Sequence, residues 1–307
     1  MDEMERAGYL RTLNETPVRL KAALKGLTKK AALARPAPGK WSILEIVCHL
    51  RDMEAEAYLK RYSRILAEDN PTLPDIDGDT IAIERDYRSQ SVAAALRDWS
   101  KARKENLRLL KKVKGAQWER VGTHETAGPL TLETLLRRHA VGNDEAHLGQ
   151  IEGIRRRQEL LARLASTPER LNRALATLDP AAAAARPADG KWSIVENAAH
   201  MRDIELVFAE RFTKSAFSDT PQQYWMLDND KTAALRKYGE ADARAVAKAF
   251  KELRQETLRL LGSLPDSAWK KTGQHPKRGA ISLEDLALHL ASHDDKHVAR
   301  IGELSPR

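Results

Sequence analysis

Cysteine, aromatic residues and long apolar runs are all scarce in this sequence. A single cysteine, Cys48, in 307 residues excludes a disulfide framework and any cysteine-built zinc module. Aromatics make up only 5% of the chain, with 4 Phe, so a buried core must be built mainly from aliphatic side chains. No run of about 18 apolar residues occurs, the length that a membrane-spanning helix needs. The first residues also lack the apolar centre of a secretory signal. The expectation is a soluble, cytoplasmic protein with no membrane partner. What is present in quantity is Ala, Leu, Arg, Lys and Glu, all strong helix formers. With 42% hydrophobic and 31% charged residues, the chain has the material for folded cores, and disorder is excluded.

The formal charge of +8 raises the question of nucleic acid. The excess of basic residues is thinly spread, and its larger part lies in the first half. The densest stretches, Lys101–Lys114 and Arg155–Arg157, include Glu105 or sit beside Glu152 in helical pattern. They read as solvated helix faces. No aromatic residues interleave with the basic ones, so a nucleic-acid partner is not expected.

An internal repeat sets the architecture. Residues 34–54 and 185–205 agree at 14 of 21 positions, at an offset of 151. The same offset pairs Thr16-Pro17 with Thr167-Pro168, Trp118 with Trp269, and His124 with His275. A period this long is a duplicated domain rather than a solenoid, and the expected domains are 1–160 and 161–307. Each copy reads as four helices. The first is expected to open at Thr16-Pro17 or Thr167-Pro168, with Thr as cap and Pro at the first helical position. The second follows Gly-Lys-Trp and opens with a capping box, Ser42 with Glu45 or Ser193 with Glu196. The third covers about 91–114 or 242–264, and the fourth starts at Thr131 or Ser282. No segment alternates like a strand. The class is all-α: two tandem four-helix bundles.

Histidines carry the chemistry. His293 and His297 are four apart, so they share a helix face and can converge on one metal ion. A third ligand must come from another helix, and His200, two turns into helix two, is placed for it. Bundles build metal sites in this way from facing helices.

The sequence Gly-Lys-Trp-Ser-Ile with Glu and then His downstream, followed by Ser-Leu and by His-Asp-x-x-His, resembles the DinB-like superfamily, which includes the YfiT-type proteins. The resemblance covers nearly the whole chain, once per copy. It implies bacterial four-helix bundles with a divalent metal on three histidines, one from helix two and two from the last helix. Carried over, these are His200, His293 and His297. Relatives with assigned roles include transferases and isomerases that use low-molecular-weight thiols.

The first copy departs from this pattern. His49 stands for His200 and His147 for His297, but Asn143 stands four residues before His147. The offset is 151 at Glu133 and 150 at His147, so helix four of the first copy carries one extra residue. A π-bulge near Gly142 or an earlier helix start would absorb it. Asn is a poor ligand where imidazole is favoured, so His49, Asn143 and His147 read as a degenerate site.

Other residues receive plainer roles. His139 and His289 read as packed or exposed, His124 and His275 as exposed loop residues, and Cys48 as buried packing. Trp41 and Trp192 read as staples for the start of helix two rather than substrate contacts. Glu196 and Asp294 are weak catalytic candidates, Glu196 as a base and Asp294 as a group orienting an imidazole.

Three imidazoles on a divalent ion, zinc or nickel, leave a coordination position open, as in catalytic sites. The expectation is about one ion per chain and a small-molecule substrate. Thiol-dependent transfer comes first, on resemblance, with metal-dependent hydrolysis as the alternative and a non-catalytic metal- or ligand-binding protein as the rival. The duplicate is expected to act as a pseudo-dimer within a monomeric chain.

Overall fold

The computed structural model describes residues 2–176 and 178–305. The chain divides into two compact units, Met1–Arg155 and Arg156–Arg307, and the division falls inside one helix, Ala146–Leu175. Each unit is a four-helix bundle. Among the described residues no helix is long and apolar enough to cross a membrane.

In the N-terminal unit helix one is Glu3–Ala23. Helix two begins at Ile43 behind the Ser42–Glu45 capping box, passes through a π segment, Met53–Tyr58, and ends at Ala67. Helix three is Val92–Leu110, capped by Ser91. Helix four starts at Leu132 behind Thr131 and passes through a second π segment, Arg138–Glu145. In the C-terminal unit the helices after the shared one are Ile194–Phe217, Ala243–Ser263 and Leu283–Leu304, with caps at Ser193, Asp242 and Ser282.

Helix one departs from the expected start. Pro17 and Pro168 both lie inside helices rather than at their first turn. Asp2 caps the N-terminal helix through Glu5, in a capping box that the sequence reading passed over.

The long connections between helices two and three are not structureless. Thr72–Leu73 runs parallel to Val121–His124, which pairs antiparallel with Gly128–Thr131. The C-terminal unit repeats this with Gln222–Gln223, Thr272–His275 and Gly279–Ser282. Strands of two to four residues are too short to leave a period in the sequence. Gly128 and Gly279 turn the two hairpins at φ of +70° and +72°, a conformation that L side chains rarely adopt.

The cores are aliphatic, with a few large rings such as Trp99, Phe212 and Phe250 fully buried. Two basic residues of the stretches Lys101–Lys114 and Arg155–Arg157, namely Arg103 and Arg157, are buried rather than on a solvated face. Arg103 is fully buried, paired with Glu54 and Asp144, and Arg254 is paired with Glu205 and Asp294 in the same way. A buried guanidinium survives only when paired, so these triads are polar pins through each bundle.

Both π segments absorb single extra residues of the first copy. Glu54 matches Glu205 at an offset of 151 and Arg61 matches Arg211 at 150, while Leu132 matches Leu283 at 151 and Asp144 matches Asp294 at 150. A π turn holds one residue more than an α turn, so the residues beyond each insertion return to register.

Candidate metal centre

His200 on helix two and His293 and His297 on helix four of the C-terminal unit come together. One ring nitrogen from each lies within 4.8 Å of the others. Nε2 of His200 and Nε2 of His293 are 3.0 Å apart, close to the edge of about 3.3 Å that a tetrahedron with Zn–N bonds of ~2.05 Å would have. Burial, with the nearby histidines adding to it, pushes His200 down to about 3 and His293 to about 2. Burial and then Lys296 push His297 to about 4. All three are therefore neutral at pH 7, the form that binds metal. The Nδ1 atoms of His200 and His293 are buried with no hydrogen-bond partner among the described residues. The donor set fits a divalent ion.

His297 is oriented by a residue that sequence reasoning missed. Its Nδ1 lies 2.8 Å from Oδ1 of Asn197. The Asn197 amide donates to the carbonyls of Trp192 and Ser193, which fixes Oδ1 as the acceptor. Nδ1 of His297 then carries the proton and Nε2 presents its lone pair, the arrangement metal-binding histidines usually have. The signal was available: Asn197 lies three residues before His200 on a buried face, where the first copy has Ile46.

Trp192 is more than a staple. Its ring centroid is 4.9 Å from that of His200, and it lines two adjoining clefts, one with Glu196, Lys237 and Tyr238 and the other with Asn197, Asn229 and Arg300. These clefts have volumes of about 420 and 640 Å³.

The two weak catalytic candidates are both engaged elsewhere. Glu196 accepts from Arg186 and from the Ser193 N–H. Asp294 accepts from Arg254 at 2.7 Å and orients no imidazole. Its neighbour in sequence, His293, points its ring to the other histidines, because successive helical residues diverge by about 100°.

The corresponding place in the N-terminal unit is altered in three ways. His49 and His147 still approach, with ring centroids 4.8 Å apart, but Asn143 gives its amide to Asp144. His147 Nδ1 turns to Gln150, since Ile46 offers no acceptor. Gly78 packs its backbone on the ring of His49, where a Cβ would come within 3.0 Å of two ring atoms. The counterpart in the C-terminal unit is Asn229, on the cleft wall.

The remaining histidines split. His139 is fully buried, stacked on Tyr58 with centroids 3.8 Å apart, and bonded to Glu54 and Tyr62. His289 is partly buried beside Phe208. His124 and His275 are not exposed: each is buried at a strand end, with Nδ1 accepting turn N–H groups. Cys48 is buried, and burial pushes its thiol up to about 11.

Two tandem helical bundles, one carrying three converging neutral imidazoles, define the class of protein. The DinB superfamily matches residues 12–151 and 163–301, and the chain belongs to that superfamily. Among solved structures, YfiT from Bacillus subtilis, described as "a probable metal-dependent hydrolase with an unusual four-helix bundle topology", is similar at 26% identity. The match covers 48% of this chain and 85% of that one, with a TM-score of 0.45. No curated protein matches the chain.

Proposed function

We propose that the chain is a metal-dependent enzyme. In this reading His200, His293 and His297 hold one divalent ion, zinc or nickel, and a low-molecular-weight thiol is transferred to a small acceptor. The observation that carries the reading is the convergence of three neutral imidazoles from two helices within 4.8 Å, beside Trp192 and its clefts. A divalent ion there would supply a stabilised thiolate or hydroxide at neutral pH. The chain's own residues do the rest: Asn197 sets the His297 tautomer, and Trp192 forms a wall against His200.

Thiol transfer is put ahead of hydrolysis on the resemblance to thiol-using members of the superfamily. Glu196 and Asp294 are both held in ion pairs, so in either reaction the ion itself would lower the pKa of the bound thiol or water. The test is elemental analysis of the purified chain, then a screen of thiol-plus-acceptor pairs and of esters, with the ion removed and restored. Turnover only with both thiol and ion supports the proposal. Ester cleavage without thiol would make the chain a hydrolase, and metal binding without turnover a binding protein.

A further inference from the structure

Arg211, on helix two of the C-terminal unit, is a buried charge that makes no direct ion pair among the described residues; Glu210 acts on it only at longer range. It is 6% exposed. Its guanidinium lies 5.3 Å from the ring centroids of both Phe208 and Tyr224. One nitrogen donates to the carbonyl of Trp225, and Nε has no partner among the described residues. Neighbouring Glu210 gives its oxygens to Lys214 and Trp225.

Around Arg211 stand further donors. His275 accepts the Lys277 N–H at Nδ1, so Nε2 carries its proton. The His289 ring is 6.2 Å from that of His275, Nη2 of Arg278 is 3.5 Å from its Nε2, and its buried Nδ1 has no partner. Burial, followed by Arg278, His275 and Arg211, pushes His289 down to about 4. Lys296 adds to the same direction.

The N-terminal unit holds a similar group, in which an acid of the chain faces the histidine; Arg61 Nε, like Arg211 Nε, has no partner among the described residues. Arg61 replaces Arg211 and donates to Pro74 as Arg211 does to Trp225. His124 replaces His275. There the protein supplies its own anion: the carboxylate of Asp75 lies 3.6 Å from His124 Nε2 and accepts from Thr126 at 2.8 Å. Both Arg61 and His124 draw the Asp75 carboxyl below its usual range, after its hydrogen bonds to Thr126 and Ile76. In the C-terminal unit Asp75, Glu125 and Thr126 become Met226, Pro276 and Lys277. The buried arginine and histidine are kept, the two carboxylates are gone, and a lysine is added.

We propose that Arg211, His275, Arg278 and His289 form an oxyanion subsite that takes the carboxylate or phosphate group of the small molecule handled at the metal centre. His289 is four residues, about 6 Å of helix rise, before His293, so the two sites lie side by side on helix four. The role of the bound molecule as substrate rests on the proposed metal function; the subsite itself does not.

The test is calorimetric titration of the full, metal-free chain with inorganic phosphate. One phosphate per chain is expected. Met226→Asp, which places a carboxylate where Asp75 stands in the other copy, is expected to weaken it at least tenfold, with helicity and metal content unchanged. Arg278→Gln should weaken it in the same direction, and neither change touches the buried core. No binding by the metal-free chain, or binding unaltered by Met226→Asp, overturns the subsite. His297→Ala separates the two readings: it should remove the ion and leave phosphate binding in place. Phosphate binding by a wild-type chain that takes up no metal would sink the metal function alone.

Discussion

Arg254 donates to the carbonyl oxygen of Leu164 at 2.8 Å, the acceptor to which Pro168 has no N–H to give. Arg103 donates to Leu13 at 2.8 Å ahead of Pro17, so both copies use the same device. A proline inside a helix removes one backbone bond and leaves an acceptor four residues earlier without a partner. Here that acceptor satisfies a guanidinium donor that two carboxylates leave over.

The first prediction follows from that device. Arg254→Met leaves Glu205 and Asp294 buried and uncompensated, and breaking a buried pair costs about 3–5 kcal/mol. Denaturant unfolding should show that loss. The triple change that also makes Glu205→Gln and Asp294→Asn should recover a large part of it. If the triple variant is no more stable than Arg254→Met, uncompensated charge is not the cause.

Metal content gives the second prediction. About one ion per chain is expected after growth with zinc or nickel, lost in His297→Ala and kept in His147→Ala. Asn197→Leu should lower affinity about 10- to 100-fold, the usual effect of removing a partner behind a metal-bound histidine. Competition with a chelator of known affinity reads this directly. An unchanged affinity would show that the Asn197–His297 bond does not set the ligand.

The third concerns acid. Burial and then His147 push His49 down to about 4, below the ~6.5 of an unfolded-chain histidine. Between these values the unfolded chain binds the proton that the folded chain refuses. Stability is therefore complete above about pH 6.5 and falls as pH drops towards 4. His49→Gln should make that limb shallower, with His200, His289, His293 and His297, which burial also pushes down, carrying the rest; the measurement is urea midpoints at pH 7.5 and 4.5. Equal losses in both proteins would assign the acid limb to other groups.

Much of this molecule was legible in the sequence. The repeat, the Ser42–Glu45 and Ser193–Glu196 capping boxes and the three histidines could be read because each is a local pattern or a copy of one. The extra residue of helix four was legible too, since the offset changes between Glu133 and His147; that a π segment absorbs it, rather than an earlier helix start, needed the structure. The other insertion, between Glu54 and Arg61, escaped because the residues around it leave no visible break in the pattern. Arg103 and Arg254 escaped because burial of a charge depends on partners from other helices, Glu54 and Glu205 among them. His124 and His275 were misplaced for the same reason: their burial comes from short sheets with no period to detect. Asn197 needed only a comparison with Ile46.

The last prediction asks how much of the second site survives in the first copy. The π segment Arg138–Glu145 restores register, because Asp144 reaches Arg103 at 2.7 Å as Asp294 reaches Arg254 at 2.7 Å. Residue 143 is therefore set where His293 stands, and Asn143→His should return a third imidazole towards His49 and His147. Two further differences remain. Ile46 cannot orient His147 as Asn197 orients His297, and the backbone of Gly78 is packed on His49. Asn143→His alone is thus expected to bind a second ion weakly, and Asn143→His with Ile46→Asn to bind it about 10- to 100-fold more tightly. Elemental analysis should approach two ions per chain for the double variant. If it stays at one, the contact of Gly78 with His49 has closed the site, and restoring the ligands is not enough to open it.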